Sequence, residues 1–187
     1  AKRESQTFAM VIADIDDFKK FNNRYGYEGG NQVLATAAQV LRNGLRPFDT
    51  VARWGGEEFG LILTPPVTLE HAQTACERLR NAAALSRFTL TGLEGESLSA
   101  QLTISLGGAM YPADGQSAKG LWRAANAALV HAKQTGKNKV VFASELPPDE
   151  ENETRGKKRR GGNPDQYERF LHNKRKKKKP GKTPGLF

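Results

Sequence analysis

Two apolar runs hinged on adjacent glycines leave a chain few ways to fold. Val51, Ala52, Arg53 and Trp54 form one candidate strand and Phe59 to Leu63 the next. Gly55 and Gly56 between them supply the positive φ angles of a two-residue hairpin turn. Glu57 and Glu58 follow at once, so a bare backbone stands beside two carboxylates. Such a backbone admits a phosphate closely, and hard carboxylate oxygens suit the divalent metal that a polyphosphate carries. The same residues also suit an ordinary solvated turn, and the segments around them must decide between the two readings.

Upstream, Phe8 to Ala13 is an apolar run of strand length that delivers Asp14, Ile15, Asp16 and Asp17 at its end. Phe18 to Tyr25 reads as a short helix stopped by Gly26, and Glu28 to Asn31 as the lead into a longer one. Leu34, Ala37, Ala38, Leu41 and Leu45 recur there at helical spacing before Pro47. Downstream, Thr68 is placed to cap a third helix with its stripe at Leu69, Ala72, Cys76, Leu79 and Ala83. Residues 86 to 100 read as a β-like excursion with a loop. Leu102 to Met110 alternates as a strand, with Leu102, Ile104, Leu106, Gly108 and Met110 on one face. A fourth helix spans about Ala118 to Thr135 with Leu121, Ala125, Ala128 and Ala132 inward, and Gly136 sits at its C′ position. Lys139 to Phe142 is a last short strand. The order βααββαβαβ predicts an α/β protein of α+β type, with a ferredoxin-like or polymerase-palm-like mixed central sheet covered by helices. In such a sheet the end of the first strand lies beside the hairpin tip, and Asp14 faces Glu57 and Glu58.

Charge divides the chain where the pattern stops. Residues 155–187 hold 13 lysines and arginines against two acids, so that segment carries +11 and residues 1–154 carry −2 of the whole chain's +9. A domain over 1–146 and a tail over 147–187, acidic first and then basic, are therefore expected. The runs Lys157 to Arg160 and Lys174 to Lys179 repel themselves and suit a disordered segment, with one short helix conceivable at Asp165 to His172. They attract nucleic acid or an acidic membrane surface by counterion release, or serve only to solubilise. The single cysteine, Cys76, falls in a helical stripe and reads as a core thiol of a reducing, cytoplasmic compartment. The absence of an initiator Met reads as a fragment, the cytoplasmic output domain of a larger protein that can include sensory or membrane parts.

Asp14, Glu57 and Glu58 with the bare Gly55–Gly56 backbone form a candidate site for metal-bound phosphates. Lys133 and Lys137, flanking Gly136, are positive points within reach of outer phosphates, or simply lysines favoured by a helix C-terminus. The run Arg53-Trp54-Gly55-Gly56-Glu57-Glu58-Phe59 resembles the signature of the GGDEF domains, the bacterial diguanylate cyclases, in its Glu-Glu form. Asp14-Ile15-Asp16-Asp17-Phe18-Lys19 matches their first acidic motif, and Asn22, Gly26, Gly136 and Asn138 fall at family positions; the similarity covers roughly residues 7–143. The helix and the Leu-Thr-Gly-Leu-type segment that precede the first strand in the family are absent.

The resemblance implies a cyclase that condenses two GTP into cyclic di-GMP with release of pyrophosphate, each domain of a homodimer holding one GTP. By family match Asp14, the Ile15 carbonyl and Glu57 bind Mg²⁺ (or Mn²⁺), and Glu58 assists the metal or activates the 3′-hydroxyl. Phe18, Lys19, Asn22, Asn31, Gly55 and Gly56 contact the nucleotide, and Lys133 and Lys137 hold the β and γ phosphates. Asn31 departs from the family, which carries Asp there to read guanine; an amide offers one acceptor and one donor where a carboxylate accepts twice. Asn126 and Val130 replace the usual Asp and Tyr. Arg46, nine residues before Gly55, and Asp49 match the inhibitory product site, with Arg78 as a partner. An impaired receptor that binds cyclic di-GMP or GTP, or a cyclase of altered base preference, is the alternative.

Overall fold

Strand β1 (Phe8–Ile15) is apolar on both of its faces and buried over all but its first residue, which forces it into the middle of a sheet covered on both sides. In the computed structural model, which describes residues 6–91 and 95–147, that sheet has the order β2-β3-β1-β6-β7. β2 (Thr50–Gly55) pairs antiparallel with β3 (Glu58–Leu63), β3 and β6 (Ile104–Tyr111) pair antiparallel with β1, and β7 (Val140–Phe142) pairs parallel to β6. Helices α1 (Phe18–Asn43) and α2 (Leu69–Leu85) share one core with Val11, Ala13, Leu61, Leu106 and Phe142. Helix α3 (Ala118–Gln134) takes the opposite face, where the backbone of Ala125 and Leu129 lies against Gly107. This is the mixed, palm-like α+β layout that the order of elements predicts.

Helix α1 is broken at Gly26, whose φ of 69° and ψ of 179° leave the helical region. The short helix and its stop therefore stand where the sequence puts them, but Glu28 to Asn31 are helical, not a lead-in. The glycines there serve contact, not irregularity. A Cβ on Gly30 would fall 1.9 Å from Asn22 Oδ1, and one on Gly29 would fall 2.3 Å from Tyr25 Cβ. Only bare backbone lets the two helical segments approach so closely.

The hairpin turns one residue later than its glycines suggest. Gly55 pairs with Glu58, so the tip is Gly56–Glu57, and only Gly56 has a positive φ, 53°. The register shifts between Arg53 and Gly55, a bulge at Trp54 that absorbs the extra residue. Arg53 Nε donates to the Gly56 carbonyl at 2.9 Å and braces the tip. The Trp54 ring covers Gly60, where a Cβ would come within 3.0 Å of it.

Elsewhere the local chemistry follows the pattern. Thr68 caps α2 by accepting from the His71 N–H at 3.2 Å, and Lys137 N–H closes the end of α3 on the Ala132 carbonyl at 3.0 Å, with Gly136 at φ 125°. The 86–100 segment holds β4 (Arg87–Thr91) and β5 (Ser97–Gln101), a separate two-stranded pair. β6 begins at Ile104, not Leu102, and is buried on both faces. Cys76 is a free thiol in the core, its pKa pushed up to about 12 by burial. Among the described residues no helix is long and apolar enough to cross a membrane. The tail expected over 147–187, with its basic runs and the helix at Asp165 to His172, lies outside the described residues beyond Pro147.

Gly107 sets the distance of α3 from the sheet, because a Cβ there would meet Ala125 O and Leu129 N at 2.2 Å. Gly107→Val should therefore destabilise the domain by about 3 kcal/mol. Urea unfolding checks this, and a midpoint equal to that of the unsubstituted protein contradicts the packing.

Candidate active site

β1 ends in the acidic run that the sequence singles out, and each acid meets a different environment. Asp14 points to the α3 side of the sheet, is 4 % exposed, and sits in register with Glu58 of β3 and Ser105 of β6. Its Oδ1 lies 2.6 Å from Lys133 Nζ, which reaches down from the last turn of α3. The ammonium is close but poorly aligned, and no well-directed hydrogen bond reaches that buried oxygen. Burial raises the Asp14 pKa to about 6; Lys133 opposes the shift, and the charges of Glu57 and Glu58 add to it. The Glu58 carboxyl is raised as well, again chiefly by burial. Carboxylates placed opposite one another in a sheet repel, so this corner is short of positive charge.

Asp16 is the residue whose role the sequence leaves unassigned. Its carboxylate is 4 % exposed and accepts from Thr103 Oγ1 at 2.8 Å, Ser105 Oγ at 2.7 Å and Asn138 N–H at 2.9 Å. It binds together the end of β1, the start of β6 and the loop after α3. Arg80 holds the same loop from α2, donating to Asn138 Oδ1 at 2.9 Å. Three residues around these contacts, Asp17, Lys137 and Asn138, have left-handed backbones with φ of 56°, 60° and 46°. Such conformations persist where surrounding contacts impose them. The polar neighbours Thr103, Ser105 and Asn138 were the only sequence signal for this network.

Asp17 is exposed and faces Lys137 Nζ at 2.7 Å and Lys20 Nζ at 3.2 Å; the Lys137 hydrogen bond holds its carboxyl below the ordinary range. Asp17 is also the N-cap of α1, with no side-chain capping bond. The N–H groups of Phe18 and Lys19 in the first turn lack intrahelical acceptors, as at any helix start, and make an anion-attracting surface. The Phe18 side chain is buried, so only its backbone can serve a ligand, while Lys19 is exposed. Asn22 packs on Gly30, one residue from Asn31. Asn31 opens onto a groove with Leu34, Arg53 and Phe59 that runs between α1 and β2.

The structure thus brings Asp14, Glu57, Glu58, Lys133 and the Gly55–Gly56 backbone to one end of the sheet, with Lys137 beside Asp17. The donor set, carboxylates and the Ile15 carbonyl, suits a hard divalent ion, and the buried, poorly satisfied Asp14 oxygen fits one. Yet among the described residues no three acidic, His or Cys side chains converge as a metal site. Lys133 takes the face of Asp14 instead.

Away from this corner, Arg46, Asp49 and Arg78 line one cavity with Thr64, His71 and Thr74. Asp49 is already engaged: Oδ1 accepts from Thr64 N–H at 2.9 Å and Oδ2 from Arg46 N–H at 3.1 Å. Arg78 Nη2 donates to the Gly44 carbonyl at 2.7 Å, and Phe48 beside them is 84 % exposed.

Comparison with known proteins gives consistent matches. The family model described as "Diguanylate cyclase, GGDEF domain" matches residues 1–139. The chain is 37 % identical over 142 residues to the probable diguanylate cyclase DgcT of Escherichia coli, covering 75 % of this chain and 30 % of that protein. The GGDEF domain of DgcB from Caulobacter crescentus, solved in complex with c-di-GMP, superposes with a TM-score of 0.66 at 32 % identity, covering 74 % of this chain and 79 % of that one. The active GGEEF domain of a diguanylate cyclase from Vibrio cholerae does so with a TM-score of 0.65 at 26 % identity, over 76 % and 86 % of the two chains. The chain spans between 30 % and 38 % of the length of the first three curated relatives.

Since Lys133 opposes the upward shift of Asp14, Lys133→Met should move the Asp14 carboxyl above its value of about 6. Carboxyl ¹³C NMR against pH reads this directly. An unchanged or lower value means that the two groups do not pair in solution.

Proposed function

The chain belongs to the GGDEF domain family, and from that premise we propose that it is a diguanylate cyclase, condensing two GTP into cyclic di-GMP and releasing two pyrophosphates. The observation that carries the reading is the crowding of Asp14, Glu57 and Glu58 beside a side-chain-free turn, with Lys133 and Lys137 at hand. In this reading Asp14, the Ile15 carbonyl and Glu57 would hold Mg²⁺ (or Mn²⁺), which when bound would polarise the α-phosphate and favour ionisation of the attacking 3′-hydroxyl. Glu58, its carboxyl raised by burial, is a stronger proton acceptor than an ordinary carboxylate. Gly55 and Gly56 lie along the nucleotide, and the α1 start at Phe18 and Lys19 receives phosphate oxygens. Lys133 and Lys137 neutralise the β and γ phosphates and the departing pyrophosphate.

One domain holds one GTP, so the active form is a homodimer whose two half-sites face each other and align each 3′-hydroxyl with the other α-phosphate. The setting is the cytoplasm, where GTP is supplied, with this domain as the output part of a longer protein. Arg46, Asp49 and Arg78 form the product site, in which arginines fork onto phosphate or guanine and feed product level back on turnover. The basic tail remains a candidate for contact with nucleic acid or acidic membrane.

Asn31 supports a second reading, a cyclase of altered base preference. At a guanine edge an Asp accepts two hydrogens, whereas Asn31 supplies one acceptor and can donate to adenine instead. A domain that binds GTP or cyclic di-GMP without turnover is the further alternative.

Incubation with Mg²⁺ and GTP, ATP or both, followed by mass spectrometry, should yield cyclic di-GMP from GTP alone. A mixed product favours the Asn31 reading, and no cyclic product leaves the receptor. Asp14→Ala and Glu57→Ala should each cut turnover by about 10²-fold or more; retained turnover in both excludes the assigned roles. Arg46→Ala should raise the cyclic di-GMP concentration for half-inhibition by about tenfold, as expected when a charge-assisted contact is lost. An unchanged inhibition curve removes the product site.

A further inference from the structure

The pairing of Lys133 with Asp14 bears on how the site fills. We propose that, without nucleotide, Lys133 occupies the cation position of the acidic corner. A divalent ion then gains Asp14 only when the phosphates of a nucleotide draw the lysine away. The inference rests on the metal-dependent nucleotide reading above.

Asp14 is sealed from water, and the cation within contact of its Oδ1 is the Lys133 ammonium at 2.6 Å. No three acidic, His or Cys side chains converge beside it among the described residues, and the lysine ammonium stands against the oxygen that an ion would take. An ammonium cannot stay in contact with a carboxylate oxygen that also binds a divalent ion, since two cations at that distance in a poorly solvated pocket repel strongly. The groups facing Asp14 are Glu57 and Glu58 on the hairpin and Lys133 on α3. Lys137 also acts on Asp14 through its charge, but it is in contact with Asp17, so Lys133 is the cation that competes at the Asp14 oxygen.

Lys133 is also free to leave. Its side chain is 34 % exposed and stands at the end of α3, where a four-carbon stem can swing the ammonium outward to a phosphate. Lys137 is paired with exposed Asp17 by a hydrogen bond of 2.7 Å. A triphosphate therefore takes two lysines from two acids of one motif. It releases Asp14 for the metal and leaves the lysines on its own oxygens. Because coupling is reciprocal, whatever the nucleotide contributes to metal affinity the metal returns to nucleotide affinity. Lys133 would make the domain select the metal–nucleotide complex over free divalent ion.

Mn²⁺ binding to nucleotide-free protein, followed by the loss of its free-ion EPR signal at about pH 8, above the Asp14 value of about 6, tests this. Lys133→Met should tighten the Mn²⁺ Kd by about tenfold or more, and Asp14→Asn in that background should remove the gain. Lys133→Gln, which keeps a polar side chain, is the second variant, and circular dichroism confirms that each is folded. A Kd equal to or weaker than that of the unsubstituted protein in both variants overturns the proposal, as does a gain that survives Asp14→Asn. The cyclase assay is independent. Cyclic product with unmoved Mn²⁺ affinity sinks this inference alone, whereas tightened affinity without product sinks the cyclase reading alone.

Discussion

The buried carboxylate of Asp16 is the contact on which the geometry of the acidic corner depends. A charge removed from water is tolerable only when its oxygens are well supplied with donors. Here Thr103, Ser105 and the Asn138 N–H supply them from two other segments. The result is a joint between the end of β1, the start of β6 and the loop that follows α3. Because the joint fixes Asp16, its neighbours are aimed as well. Asp14, two residues earlier on the strand, turns toward α3 and Lys133, and Asp17 turns outward to Lys137. Three acids within four residues thus take three roles, structural, buried and exposed, and environment alone decides which is which.

That joint would be of no use if α3 stood at an ordinary distance from the sheet. Gly107 removes the side chain that would hold it off, and Ala125, Ala128 and Ala132 present small surfaces toward the strands. The close approach lets a lysine at the end of α3 reach a carboxylate at the end of β1. Packing and chemistry are therefore linked: a methyl group added in mid-sheet would move a cation at its end. On the other side of β1 the hairpin is set by the Trp54 bulge and the Arg53 bond to the tip, which place Glu58 directly across from Asp14.

Much of this was legible from residue order. Periodicity of 3.6 found α2 and α3, alternation found β6, and the caps Thr68 and Gly136 act where their types and positions say they should. The acidic run, the hairpin and the lysines at the end of α3 were recognisable by their motifs. What failed to show was set by side-chain packing, between near neighbours in two cases and between distant segments in the others. The tip moved by one residue because a bulge at Trp54 is fixed by its packing on Gly60, not by a turn dipeptide. Glu28 to Asn31 read as a break since glycine is a poor helix former, yet close packing on Asn22 and Tyr25 needed glycine inside the helix. The Asp16 network joins residues about 90 and 120 positions apart, and no local pattern encodes such a pairing. The partner of Lys133 was hidden for the same reason.

The electrostatics of the corner favour ligand binding over stability. A carboxyl whose pKa rises from 3.8 to about 6 on folding holds its proton in the folded state at pH values where the unfolded chain has released it. Stability then falls as pH rises through that interval and stays lower above it. The same sign holds for Glu58, also raised by burial. Where both are ionised the folded domain bears the cost of two desolvated, mutually repelling carboxylates, which the Lys133 ammonium opposes. A positive ligand that enters this corner recovers what the ionised carboxylates cost, so the site is under tension toward cations before any arrives. Replacing one acid would remove that cost, and the acids instead stand beside a turn free of side chains, the arrangement on which the proposed cation and phosphate site rests.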